Sequence, residues 1–102
     1  MNFCAACTMP LANPKDIGAT IGEQMFCVHC INEEGQVKSC EDIFNGGVDF
    51  FLNTFPDLDK NMAERVTRKN MKSISYWQNH DSVCLKGDVA TDAEFQAILL
   101  RL

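Results

Sequence analysis

Two short cysteine pairs are the residues of this chain whose types and spacing best suit chemistry. Two residues separate Cys4 from Cys7 and Cys27 from Cys30, and nineteen residues lie between the two pairs. Each short turn can direct two thiolates at one centre, and four thiolates satisfy the tetrahedral coordination of zinc. The gap between the pairs is within the range typical of zinc sites. We therefore predict one zinc ion per chain, bound by these four cysteines.

Two other interpretations of the pairs remain open. A four-cysteine iron site has the same ligand set, although zinc is the favoured metal. One C-x2-C pair alone is typical of a thioredoxin-like redox site, but that hypothesis leaves the second pair unexplained. Four thiolates leave no open position for the water of a catalytic zinc site, so the predicted role of the metal is structural.

Cys40 and Cys84 lie outside this pattern. Each could be a small buried hydrophobic residue. A second metal site with His80 is the alternative, because His80 and Cys84 have the spacing H-x3-C, but only three ligands are then available. A third hypothesis makes one of these cysteines a reactive thiol. His29 lies inside the second pair, where we expect an exposed loop residue.

Charge is distributed unevenly along the 102 residues, whose formal net charge is −5. Residues 1–51 carry two basic and seven acidic side chains, a balance of 2 − 7 = −5, and residues 52–102 carry seven of each. This sign is opposite to that of a typical DNA-binding domain. We find no signal-peptide pattern and no apolar run long enough to cross a membrane. The expected location is the cytoplasm, where cysteines bind metals more often than they form disulfides.

The pattern of apolar residues predicts a small α+β fold in two regions. Residues 1–38 are predicted to form a zinc-ribbon module of knuckle hairpins, with strands at Ile17–Ile21 and Gln24–Val28. Residues 39–102 are predicted to be a helical region packed on it, with two or three helices at about 41–55, 61–77 and 91–101. Ser39 is the expected N-cap of the first helix, and capping boxes begin the others at Asn61 and Thr91. Residues 78–90 are expected to be a connecting loop.

A longer motif around the first cysteine pair resembles a known family. Cys4-x-x-Cys7-Thr8-Met9-Pro10-Leu11, Gly18, Cys27-x-His29-Cys30 and Gly35 are similar to the "putative zinc ribbon domain" family of short bacterial and archaeal proteins. The resemblance covers roughly residues 3–77, including a segment ending at Trp77. It implies zinc binding by the four cysteines and no particular activity. Unlike many zinc knuckles, this chain has Thr8 and Ile31, not glycine, after the second cysteine of each pair.

No catalytic constellation is present in the sequence, so the leading hypothesis is a non-enzymatic zinc-binding protein that serves as a protein-interaction or regulatory module. Its partner would be another protein or a second copy of the chain. The alternative is a nucleic-acid-binding ribbon that uses a basic helix face, and four residues form this basic face: Arg65, Arg68, Lys69 and Lys72. The face could equally be the solvent side of an amphipathic helix, or it could pair with the acidic N-terminal half of the chain.

Overall fold

The computed structural model describes residues 2–80 and 83–101 and has the predicted α+β architecture, with hairpins first and helices after them. The described residues do not include Met1, Asp81, Ser82 and Leu102. The predictions for the two regions and for the 78–90 loop are therefore not tested at these four positions. The strands are β1 (Asn2–Phe3), β2 (Pro10–Leu11), β3 (Ile17–Ile21) and β4 (Gln24–Cys27). The helices are α1 (Cys40–Thr54), α2 (Lys60–Lys72), α3 (Ser75–Gln78) and α4 (Asp92–Arg101). None of the helices among these residues combines the length and the hydropathy needed to cross a bilayer.

The strands form two separate antiparallel pairs, β1 with β2 and β3 with β4. The second pair confirms the predicted hairpin, and Gly22 supports its turn with a φ of 62°. Gly18 lies where a Cβ atom would approach the Cys27 carbonyl oxygen to 2.8 Å, so only glycine allows this close approach of the two strands. The hairpin therefore places Cys27 at the end of β4, and a 3-10 turn at Val28–Cys30 follows directly.

Helix α1 begins and ends as the sequence predicts, to within one residue. The Ser39 hydroxyl oxygen accepts a hydrogen bond from the Asp42 amide at 3.2 Å, which is the predicted N-cap. The chain leaves the helix at Phe55, just before Pro56, whose ring disfavours helical backbone in the preceding residue. One side of α1 packs into the core through its apolar residues: Ile43, Phe44, Val48 and Phe51.

The predicted helix at 61–77 is two helices in the structure. Helix α2 ends at Lys72, and Ile74 then takes extended backbone with a ψ of 125° before α3 begins. The Ser73 hydroxyl donates to the Asn70 carbonyl at 2.6 Å, which satisfies an acceptor that the ending helix leaves unpaired. The break lies shortly before the buried Trp77, and an apolar pattern that continues through it could not reveal it.

The predicted N-cap of α2 is also wrong. Asp59, two residues before Asn61, accepts a hydrogen bond from the Met62 amide at 2.7 Å. Both residue types are good N-caps, so the sequence offered two starting points and the structure uses the earlier one. The capping box at Thr91 is confirmed, since the Thr91 and Glu94 side chains accept from each other's backbone amides at 3.1 and 2.9 Å.

Cys40 and Cys84 form a disulfide, which corrects both main interpretations of these residues. They are neither independent buried thiols nor ligands of a second metal site. His80 instead donates from Nδ1 to the Tyr76 carbonyl oxygen at 2.7 Å and stacks on the Tyr76 ring. The bond joins residues 44 apart in sequence, and a cross-link of that span contributes about 2–4 kcal/mol of stability by restricting the unfolded chain. The expected reducing compartment argued against disulfides, and the composition carries no information about which cysteines meet.

Two adjacent glycines in α1 provide a matched test of its packing against α2. A Cβ atom at Gly47 would lie 2.8 Å from Cγ2 of the buried Thr67, whereas nothing lies within 4 Å of one at Gly46. We predict that Gly47→Ala lowers the free energy of unfolding by about 1–3 kcal/mol through overpacking. Gly46→Ala should raise it by about 0.5–1 kcal/mol, because alanine favours the helix. Urea denaturation measures both, and equal effects of the two substitutions would contradict this packing.

Candidate metal centre

The four predicted ligands come together at one point. Their Sγ atoms all lie within 4.8 Å of one another, in a group that we call the cysteine cluster: Cys4, Cys7, Cys27 and Cys30. The turn after β1 supplies the first pair, and the end of β4 with its 3-10 turn supplies the second. Three of the cysteines are buried, and Cys7 is partly exposed. His29 is exposed, as the sequence predicts, and is not part of the cluster.

The spacing of the sulfur atoms fits a tetrahedral metal site. With zinc–sulfur bonds of about 2.3 Å, the sulfur atoms of a regular tetrahedron lie about 3.8 Å apart. The Cys27 sulfur lies 3.6 Å from the Cys7 sulfur and 3.5 Å from the Cys30 sulfur. The cluster is therefore compatible with one metal ion at its centre, held by four thiolates and no other group.

Backbone amides also point at the cluster. The amides of Ala6 and Cys27 approach the Cys4 sulfur at 3.4 and 3.3 Å. Hydrogen bonds of this kind stabilise a thiolate more than a thiol. The fold thus supplies donors to a sulfur atom that must be negatively charged when it binds a metal.

The thiols influence each other's ionisation. Hydrogen bonding with Cys27 is the main cause that lowers the pKa of Cys4, and hydrogen bonding with Cys30 lowers the pKa of Cys27 to about 7. Hydrogen bonding with Cys27 raises the pKa values of Cys7 and Cys30. The protein therefore favours ionisation of part of the cluster only, because the thiolates of Cys4 and Cys27 accept hydrogen bonds from neighbouring thiols that stay protonated. A divalent cation removes this restriction, since metal binding requires all four ligands to be deprotonated.

Two side chains from the helices hold the first cysteine turn. The indole Nε1 of Trp77 donates to the Ala6 carbonyl at 2.7 Å in a buried position. Asn70 Nδ2 donates to the Cys7 carbonyl at 3.2 Å. No pattern in the sequence points to Asn70, and Trp77 lies in the segment that resembles the family. A buried tryptophan needs an acceptor for its N–H, but the sequence does not show which carbonyl it will find.

The basic face is largely occupied by the chain itself. Arg65 forms an ion pair with Glu94 at 2.9 Å, and Lys69 forms one with Asp92 at 2.7 Å. Arg68 donates to the Asp88 carbonyl at 3.1 Å and lies over the Phe44 ring. The acidic partners of Arg65 and Lys69 come from the C-terminal end, and Glu64 of α2 lies 3.9 Å from Arg68, so none of these partners comes from the acidic N-terminal half.

These contacts change how the basic face can be interpreted. The side chains of Arg65, Arg68 and Lys69 are only 22%, 18% and 26% exposed, so they are not the open solvent side of an amphipathic helix. None of the ion pairs found among residues 2–80 and 83–101 involves Lys72. The sequence could not reveal this, because the pairing residues lie about 20 to 30 positions away along the chain.

Thr8 has a strained backbone conformation. Its φ is 65°, in the left-handed region that threonine rarely adopts, and it follows the second cysteine of the first pair. The corresponding residue of the second pair, Ile31, has a φ of −115°. The two turns therefore differ. The first needs the conformation that glycine provides in other zinc knuckles, and the second does not.

We predict that Thr8→Gly raises the free energy of unfolding by about 0.5–1 kcal/mol. Relief of left-handed strain contributes about 1–2 kcal/mol, and the greater freedom of glycine in the unfolded chain offsets part of it. Ile31→Gly is the matched control and should be destabilising, because no strain is relieved and a half-buried side chain is lost. Both are measured by urea denaturation of the metal-loaded protein. Destabilisation by Thr8→Gly equal to that of the control would contradict the assignment of strain.

Comparison with known proteins identifies the family. The family model described as "Putative zinc ribbon domain" matches residues 3–78, which is well over half of the chain. No curated protein and no solved structure matches the chain. The matched range contains the whole cysteine cluster together with Asn70 and Trp77, and it ends before Cys84 and α4. Because the family model matches residues 3–78 and the four cysteines of that range lie together, the chain belongs to the putative zinc ribbon domain family.

Proposed function

We propose that this protein binds one structural zinc ion through Cys4, Cys7, Cys27 and Cys30. The observation that carries the proposal is the convergence of four sulfur atoms within 4.8 Å of one another. Four thiolates complete the coordination of zinc, whereas catalytic zinc sites keep one position for water or substrate. The metal would therefore act on the fold, and we propose that the protein is not an enzyme.

The small size of the strands explains why the fold needs the metal. Strands β1 and β2 have two residues each, and β3 with β4 forms only one short hairpin. Isolated two-stranded sheets are at best marginally stable in water. A metal that joins the turn after β1 to the end of β4 links the two sheets directly, so that its binding energy becomes folding energy.

Elemental analysis of the purified protein should find one zinc per chain. Cys27→Ser should lose the metal and unfold the region before α1, because three ligands leave the coordination incomplete. His29→Ala is the matched control, since His29 lies in the same turn but is exposed and outside the cluster. It should keep its zinc. Stoichiometric zinc in Cys27→Ser, or iron as the metal in the wild-type protein, would contradict the proposal.

We further propose that the protein acts as an interaction module for another protein or for a second copy of itself. The N-terminal half carries the balance of 2 − 7 = −5, and it contains the ribbon. Three of the four basic-face residues are already engaged by the chain's own Asp88, Asp92 and Glu94. An acidic ribbon beside an occupied basic face favours a protein partner over the phosphates of a nucleic acid.

Direct binding measurements separate this proposal from the nucleic-acid alternative. We expect no binding of double-stranded DNA or single-stranded RNA, even at about 50 mM salt, where phosphate contacts are strong. Fluorescence anisotropy with labelled oligonucleotides measures this. Binding that weakens steeply as salt increases would overturn the protein-partner proposal, and its loss in Lys72→Glu would locate the contact on the basic face. Lys72 is the suitable residue to test, because the other three also hold the fold together.

A further inference from the structure

The Cys40–Cys84 disulfide joins the matched zinc-ribbon region to a part of the chain beyond it. Cys40 is the first residue of α1, and Cys84 lies in the 3-10 turn Val83–Leu85. Their Cα atoms are 6.1 Å apart, an ordinary distance for a disulfide. The bond is therefore a covalent cross-link between α1 and one end of the C-terminal segment, which we define as residues 83–101.

The disulfide is accessible from solvent. Cys40 and Cys84 both line an open groove of about 520 Å³, whose other walls include Lys38, Tyr76 and His80. Cys84 is half-buried, whereas Cys40 is 9% exposed. A small molecule in the groove can therefore approach the disulfide, with the Cys84 side more open to attack than the Cys40 side.

The two groups of cysteines have different redox requirements. The cysteine cluster must be reduced to bind a metal, whereas Cys40 and Cys84 are oxidised in the same molecule. A compartment that keeps the cluster reduced contains thiols that also attack accessible disulfides. The coexistence of both states points to a disulfide that exchanges with its surroundings.

We propose that Cys40–Cys84 is a thiol–disulfide exchange site for low-molecular-weight thiols, and that opening it releases the C-terminal segment from α2. The proposal concerns residues outside the metal centre, and it rests on the proposed metal function in one respect, which is that the cysteine cluster is kept reduced.

The exchange takes place in two balanced steps. The thiolate of a small thiol attacks Sγ of Cys84, a new sulfur–sulfur bond forms, and the old bond breaks with its electron pair on Cys40. A second small thiolate then attacks the small-molecule sulfur of this mixed disulfide and releases Cys84. Two small thiols are oxidised to one disulfide, and their two protons pass to the two cysteines. The reverse reaction forms the Cys40–Cys84 bond again.

The position of Cys40 suits the leaving group. It follows the N-cap Ser39 at the start of the 15-residue helix α1. A thiolate at a helix N-terminus is stabilised by the helix dipole, and a more stable thiolate leaves faster. The more open Cys84 is thus the sulfur attacked, and the more buried Cys40 is the sulfur released.

The other contacts of the C-terminal segment show how far its position depends on the disulfide. The segment packs on the rest of the protein through the buried side chains of Leu85, Ala90 and Ile98. Its polar contacts include three partly exposed ion pairs, Glu94 with Arg65, Asp92 with Lys69 and Arg101 with Asp57. The Asp88 and Val89 carbonyls also accept from Arg68 and Arg65, and the Ala90 amide donates to the Arg65 carbonyl at 3.1 Å. Each exposed ion pair contributes little to stability, so the covalent bond is an important part of what holds the start of the segment in place.

Thiol counting on the zinc-loaded protein tests the exchange. The protein is equilibrated with reduced and oxidised glutathione at several ratios, quenched with acid, denatured and alkylated, and zinc is measured in parallel. We expect a Cys40–Cys84 peptide under oxidising ratios, and its reversible conversion to two alkylated cysteines under reducing ratios, while the zinc content stays constant. Two freely alkylated cysteines at every ratio, or a disulfide that glutathione never opens, would overturn the proposal.

Hydrogen exchange measured on the same samples tests the release. Amide protection in residues 86–101 should fall more than about tenfold on reduction, while protection in α1 and β4 changes little. The double variant Cys40→Ala with Cys84→Ala should show the low protection at every glutathione ratio. Cys40→Ser alone is a second variant that removes the disulfide and loses less core volume than the double alanine variant. Reduction that leaves protection of the segment unchanged would overturn the release.

Discussion

The convergence of four cysteine sulfur atoms is the constraint on which the rest of this structure depends. The cluster fixes the turn after β1 and the end of β4 relative to each other, and neither sheet is large enough to do so alone. Close approach of the strands then requires Gly18, and the tight first turn forces Thr8 into a left-handed conformation. The ribbon therefore shows local strain and close contacts beside the cysteine cluster.

The helices are connected to the cluster by hydrogen bonds to its backbone. Trp77 and Asn70 reach the Ala6 and Cys7 carbonyls, so the first cysteine turn is held from outside as well as by its sulfur atoms. The chain breaks between α2 and α3 shortly before Trp77, which makes one of these two contacts. The family match ends at residue 78, immediately after this contact. The ribbon and the two short helices that support it are thus one structural unit.

Sequence patterns correctly predicted the features that depend on interactions between residues close together in the chain. The cysteine spacing, the caps at Ser39 and Thr91 and the hairpin at β3 and β4 each depend on residues close together in sequence, and each is present. Apart from the N-cap of α2, where two suitable residues lie close together, the missed features depend on distant partners. The disulfide spans 44 residues, and the ion pair of Arg65 with Glu94 spans 29. The end of α2 is a third case, since its apolar pattern continues past Ser73 and only tertiary packing decides where the helix stops.

The pairing of the basic face affects how positive and negative charge are distributed over the surface of this protein. Two of its four charges, on Arg65 and Lys69, pair with Glu94 and Asp92, which lie beyond the part of the chain that matches the family. Without these two carboxylates the ribbon would keep its acidic charge while Arg65 and Lys69 lost their partners, so the surface would be more strongly dipolar. The segment beyond the match therefore acts as an internal counterion for part of the basic face.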